Sequence, residues 1–253
     1  MHKGGLIMEN IRKFTAVAHI KWLCISKNTT LMSGIAITIL MVLGYKFLYG
    51  LNSGGHLSPV LLSLLLNLGI SMNICMDGFL MVGTEVAEEK EKHTLRVLMT
   101  SSVTGIQYFL GSIIYPFIIT IVLNFAILFI SGIPMEQVSL PLFLVVNIIA
   151  SLTSCIIGMI VGICAKNQMN ANLISYPFIM LFMMLPLLGG MSEFLHKLSG
   201  FVFTGVITEM TECFANGEKY VLKPLAAVVL VSELIISLLV FLLLYRRNGY
   251  EKD

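Results

Sequence analysis

The sequence predicts an all-α membrane protein: six transmembrane helices preceded by an amphipathic helix lying in the membrane interface. Three observations carry this. The 253 residues are 57% hydrophobic and only 12% charged, against about 25% charged in a soluble domain, and mean hydropathy is +0.91. Apolar runs of the roughly 20 residues that cross a bilayer recur along the chain. Lys and Arg fall unevenly between the loops on the two sides, the bias that orients multi-pass proteins. The whole chain, 1–253, reads as a single transmembrane domain, and its net charge of +2 is too small to suggest a nucleic-acid partner.

Residues 9–27, ENIRKFTAVAHIKWLCISK, form the amphipathic helix. Ile11, Phe14, Ala18, Trp22 and Ile25 recur at three- and four-residue steps and make one apolar stripe. Arg12, Lys13, Lys21 and Lys27 supply charge to the opposite surface, and Trp22 suits the headgroup layer. The spans follow at 31–49, 59–82, 106–131, 141–164, 169–189 and 224–245. Pro59, Pro141 and Pro224 open three of them, where a missing N–H costs little. Pro116 and Pro177 fall inside spans and predict kinks. The first apolar run starts too late, and is too long, for a secretory signal, so no cleavable signal peptide is expected.

Six spans put both ends of the chain on one side. Twelve of the 16 Lys and Arg lie on that side, leaving Lys46, Lys197, Lys219 and Lys223 on the other. The positive-inside rule then makes both ends, and the 83–105 loop, cytoplasmic. Segment 190–223 mixes apolar and polar residues. It is either a pair of short helices dipping into the outer leaflet or an external loop, and periodicity alone leaves both open. The cysteines, Cys24, Cys75, Cys155, Cys164 and Cys213, are irregularly spaced and form neither a disulfide framework nor a zinc motif. They read as small buried hydrophobes.

The 83–105 loop holds the densest charge in the chain. Four of the first seven residues from 85 are acidic: Glu85, Glu88, Glu89 and Glu91. Glu88/Lys92 and Glu89/His93 stand at i, i+4, a helical spacing. Leu95, Leu98 and Met99 follow as an apolar patch, and Thr104 with Gln107 fits a capping box that starts the third span. The positive-inside rule accounts for Lys90 and Lys92 but not for the acids. A short helix over 84–100 that presents a protein-docking surface accounts for both.

The stretch EVAEEKEKHTLRVLMTSSVTGIQYFLGSII resembles the signature of type-2 ABC exporter permeases. Glu89-Lys90-Glu91, Thr94-Leu95, Val97-Leu98, Ser102-Val103-Thr104 and Leu110-Gly111 carry the likeness. His93 stands where that signature usually has Gly, Arg96 where it has Glu, Ser101-Ser102 where Pro is common and Ser112 where it has Lys. The resemblance implies a membrane permease with a cytoplasmic coupling helix that docks on a separate nucleotide-binding ATPase subunit. Its docking residues would be Glu85, Glu88, Glu89, Lys90, Glu91, Lys92, Thr94, Leu95, Leu98 and Met99. The chain has no G-x-x-x-x-G-K-[ST], so ATP and Mg²⁺ are expected in that partner, with no cofactor or metal held by this chain and no catalytic residue of its own. A second permease, an identical copy or a paralogue, is implied as well.

Among the remaining polar residues, Asp77 and Glu233 are carboxyls inside spans, where a charge by default marks a pathway or a partner. Asn67 and Asn73 are either pathway residues or interhelical hydrogen bonders. Met183-Met184 would suit an adaptable apolar cavity. Ser154, Gly158 and Gly162 make a small-xxx-small face in the fourth span, expected to serve close packing. The function expected is ATP-driven export, across the plasma or inner membrane, of a hydrophobic or amphipathic cargo such as a drug or antimicrobial peptide. Export of a polysaccharide, lipid or ion is the alternative within the family. An ion-coupled secondary transporter using Asp77 and Glu233 is the alternative outside it.

Overall fold

The computed structural model describes residues 2–52, 57–94 and 105–248, and every regular element among them is helical. The N-terminal helix is His2–Lys27. The spans occupy Thr29–Asn52, a continuous stretch from Pro59 to Glu91, Gly105–Ser131, Leu140–Cys164, Gln168–Leu187 and Pro224–Asn248. Six of these helices are long and apolar enough to cross a membrane. Pro59 follows a Ser58 cap whose Oγ accepts from the Leu61 N–H, and Asn167 caps the fifth span through the Asn170 N–H at 2.8 Å.

Two elements depart from the sequence reading. The stretch 84–91, expected to open a separate short helix, does not start anew. The second span runs unbroken through 84–91 and stops where His93 takes a left-handed φ of 57°. Glycine adopts that conformation at little cost, which gives a physical reason for the glycine usual at this place in the resembling signature. Leu95, Arg96, Val97, Leu98, Met99 and the Thr104 cap lie outside the described residues. The second difference is Lys21, expected on the polar surface of the N-terminal helix and here fully buried with Val17, Ala18 and Ile25. Trp22 is instead exposed, its ring 5.2 Å from that of Tyr115 in the third span. The side chains of Ile11 and Phe14 lie outside those described.

The second and fourth spans run in the same direction and pack backbone to backbone. A Cβ at Gly158 would stand 2.5 Å from the Phe79 carbonyl oxygen, and one at Gly162 only 2.6 Å from the Val86 Cβ. This is the close packing expected of the small-residue face. The second span carries a π-helical turn over Asn73–Gly78. Ser154 Oγ donates to the Ile74 carbonyl there at 2.5 Å, so a wider turn in the backbone does not leave that carbonyl orphaned in the core. Three asparagines tie spans two, three and four together. Asn73 Nδ2 donates to Asn124 Oδ1 at 2.6 Å, Asn124 Nδ2 to Asn147 Oδ1 at 2.8 Å, and Asn147 Nδ2 to the Phe143 carbonyl at 2.7 Å.

Between the fifth and sixth spans, residues Glu193–Ser199 and Phe203–Ala215 form two short helices. Phe203, Val206, Ile207, Met210 and Phe214 bury one face of the second, and Phe203 stacks 4.9 Å from Phe182 of the fifth span. On the opposite end of the first span, Lys46 Nζ donates to the Ile130 carbonyl at 2.6 Å and closes the C-terminus of the third span. Cys75 and Cys155 are buried as expected of small hydrophobes, whereas Cys24 and Cys164 are exposed.

Candidate functional site

The charged block at the end of the second span is built into the helix ends around it. Lys21 of the N-terminal helix stands 2.8 Å from Glu89 Oε2 and 3.5 Å from Glu85 Oε1. Tyr108, in the first turn of the third span, donates its hydroxyl to Glu89 Oε2 at 2.7 Å, and its ring lies 4.8 Å beneath the Lys21 ammonium. That ammonium is fully buried, and the Glu89 carboxylate at 2.8 Å is its nearest counter-charge. Lys90 Nζ donates to the Ile163 carbonyl at 3.1 Å, at the end of the fourth span. Glu91 Oε2 accepts from the Gln168 N–H at 3.2 Å, at the start of the fifth. Both contacts place a charge against the helix terminus of opposite sign. Glu88 accepts from Asn28 Nδ2 at 3.4 Å and pairs with Lys92 at 2.5 Å.

The block therefore has two sides. Glu85 and Glu89 face inward and are closed off by Lys21 and Tyr108. Glu91, Lys92, His93 and Thr94 are exposed and Glu88 is half-buried, on the side of the molecule that holds the chain ends. Thr94 Oγ1 donates to the Glu89 carbonyl at 3.1 Å. Leu95, Leu98 and Met99 lie outside the described residues.

The intramembrane carboxyls are engaged within the chain. Asp77, in the π-helical turn, accepts from Thr38 Oγ1 of the first span at 2.8 Å. Gly34 approaches it so closely that a Cβ there would lie 2.8 Å from Asp77 Oδ1. Glu233 Oε2 accepts from the Phe203 N–H at 2.7 Å, so the sixth span caps the helix Phe203–Ala215, whose own first residues offer no side-chain cap. Asn67 Oδ1 accepts from Ser71 and from Thr208 of that same helix, both at 3.1 Å. Met183 and Met184 are half-buried in the fifth span. The structure thus joins Asn67 and Glu233 to one short helix, joins Asn73 to the asparagine ladder, and leaves Asp77 with the first span.

Comparison with known families decides the class. The profile of the ABC-2 family transporter proteins matches residues 60–246. The chain belongs to the ABC-2 transporter family. Among curated proteins no relative matches it. The permease is a multi-pass membrane subunit of an ABC transporter, and the matched region runs from the second span to the end of the sixth. The N-terminal helix lies outside that region, yet its Lys21 completes the charge cluster inside it. Lys21, Tyr108 and Lys46 are the residues that reading the sequence missed. The only trace of the first is its i, i+4 spacing with Val17 and Ile25, matched by the i, i+4 spacing of Glu85 and Glu89.

Proposed function

We propose that this permease exports a hydrophobic or amphipathic cargo, of the drug or antimicrobial-peptide class, powered by a separate ATPase subunit that docks on residues 88–100. The observation that carries the reading is the two-sided charged block. Glu85, Glu89 and Lys90 are consumed in clamping the N-terminal helix and the third and fourth spans, and Glu88, Glu91, Lys92, His93 and Thr94 are presented outward at the end of the second span, with Glu91 also touching the start of the fifth. A lever of this form would pass a push on its exposed side to the ends of several spans at once. Both chain ends and the block are taken as cytoplasmic, following the excess of Lys and Arg on that side.

The working unit is proposed to contain a second permease, with the cargo passing between the two copies along the second and fifth spans. Leu173, Tyr176, Met180 and Leu181 of the fifth span are exposed and apolar, which suits such a lining. The two short helices 193–215 fit a re-entrant element. Glu233, which caps Phe203, lies nine residues into the sixth span, about 14 Å along its axis at 1.5 Å per residue, near the middle of a roughly 30 Å hydrocarbon layer. The engagement of Asp77 by Thr38 and of Glu233 by the Phe203 amide favours structural roles for them over ion coupling.

The test is purification of the tagged chain from native membranes in mild detergent, with partners identified by mass spectrometry. A co-purifying ATPase with a Walker A loop is expected, its activity uncoupled from transport by Lys92→Glu or Leu98→Asp. A stable preparation without an ATPase, after cross-linking as well, would overturn the reading.

A further inference from the structure

The cluster beneath the charged block does not balance. Among the described residues it seals one ammonium, Lys21, against two carboxyl groups, Glu85 and Glu89, with side-chain exposures of 1%, 4% and 11%. The two carboxyls are not equivalent. Glu89 Oε2 takes both the ammonium at 2.8 Å and the Tyr108 hydroxyl at 2.7 Å, the surroundings of an ionised carboxylate. Glu85 reaches Lys21 only at 3.5 Å, and among the described residues neither of its oxygens has a closer donor. A buried carboxylate without donors is far costlier than a buried neutral acid, and it takes up a proton instead.

We propose that Glu85 is a proton-binding site: it holds a proton while the N-terminal helix is docked on the second span and releases it when that helix withdraws. The groups facing it are Lys21 and Cys24 from the N-terminal helix, Glu88 and Glu89 from its own helix, and Tyr108 from the third span. The fourth and fifth spans pack on the same stretch with Cys155, Val161, Ala165 and Ala171. Glu88 is paired with Lys92, and among the described residues Lys21 is the cation that stands against both inward carboxyls. Withdrawal of the N-terminal helix would open Glu85 to water and to its ordinary ionised state. The docked form therefore binds one proton more than the undocked form. Docking is favoured by acid and weakens as pH rises above the ordinary glutamate range, by up to about tenfold per pH unit for one proton.

The experiment uses the full chain in lipid nanodiscs at neutral pH. Infrared spectra of the wild type and Glu85→Gln are subtracted, and hydrogen exchange of the amides in 17–25 is followed against pH, corrected for intrinsic rates. The expected result is one protonated-carboxyl C=O band present in the wild type and lost in the variant. Protection of 17–25 should fall with rising pH in the wild type and stay level in Glu85→Gln. Identical carboxyl absorbance in the two proteins, or protection equally independent of pH in both, overturns the proposal. So does a Glu85→Gln protein that does not fold, because the neutral amide has the shape of the protonated acid.

Discussion

Glu233 offers the sharpest separation between an architectural and a transport role for an intramembrane carboxyl. Its Oε2 accepts the Phe203 N–H at 2.7 Å, and Phe203 itself is 1% exposed. Replacing Glu233 with Leu removes the cap and leaves a buried amide without an acceptor, a loss of about 1–3 kcal/mol. Replacing it with Gln keeps a carbonyl acceptor of the same reach and removes only the charge, so the cost should stay under about 1 kcal/mol. Hydrogen exchange of the amides in 203–207 reads this directly. Glu233→Leu should speed exchange by roughly 5–150-fold, the factor that corresponds to 1–3 kcal/mol, and Glu233→Gln by much less. The capping argument is refuted if Gln is as damaging as Leu, or if Leu leaves exchange unchanged. Transport lost in Glu233→Gln with protection intact would instead assign the charge itself a transport role.

Other perturbations follow from contacts of the same kind. Lys46→Met should destabilise the fold by about 1–2 kcal/mol by uncapping the Ile130 carbonyl, with Lys46→Arg close to wild type in detergent unfolding. Gly162→Leu should cost about 1–3 kcal/mol or more, since even its Cβ would meet Val86 and the Gly83 carbonyl; an unchanged midpoint in SDS unfolding would contradict the close approach of spans two and four. His93→Gly should raise stability by about 1 kcal/mol by relieving the left-handed backbone, and a lowered unfolding midpoint would count against that conformation.

The spans were legible because each is an uninterrupted apolar run punctuated by residues with positional meaning. Pro59, Pro141 and Pro224 mark starts, and Gly158 and Gly162 announce a tight helix contact. The charged block was legible as something beyond a solvated loop, but its geometry was not. A helical wheel drawn through Ala18, Trp22 and Ile25 puts Lys21 at the edge of the apolar stripe, where a long basic side chain is ordinarily assigned to the polar surface, and nothing local says that its buried partners are Glu85 and Glu89. The roles of Lys90, Glu91 and Glu233 escaped for a related reason. Each meets a backbone group at the end of another helix, and a carbonyl or amide carries no residue type for a pattern to match.

The inward side of the block also sets an order of assembly during synthesis. Lys21 leaves the ribosome 64 residues ahead of Glu85, and its ammonium has no buried place until the second span has inserted and brought the two carboxyls down. Until then the N-terminal helix can rest on the membrane surface but cannot lock. Tyr108 and then Gln168 complete the junction as the third and fifth spans arrive. The N-terminal helix is made before the six spans and is thus among the last to settle, and a nascent chain stalled before its second span would carry an unfastened basic helix open to proteases and chaperones.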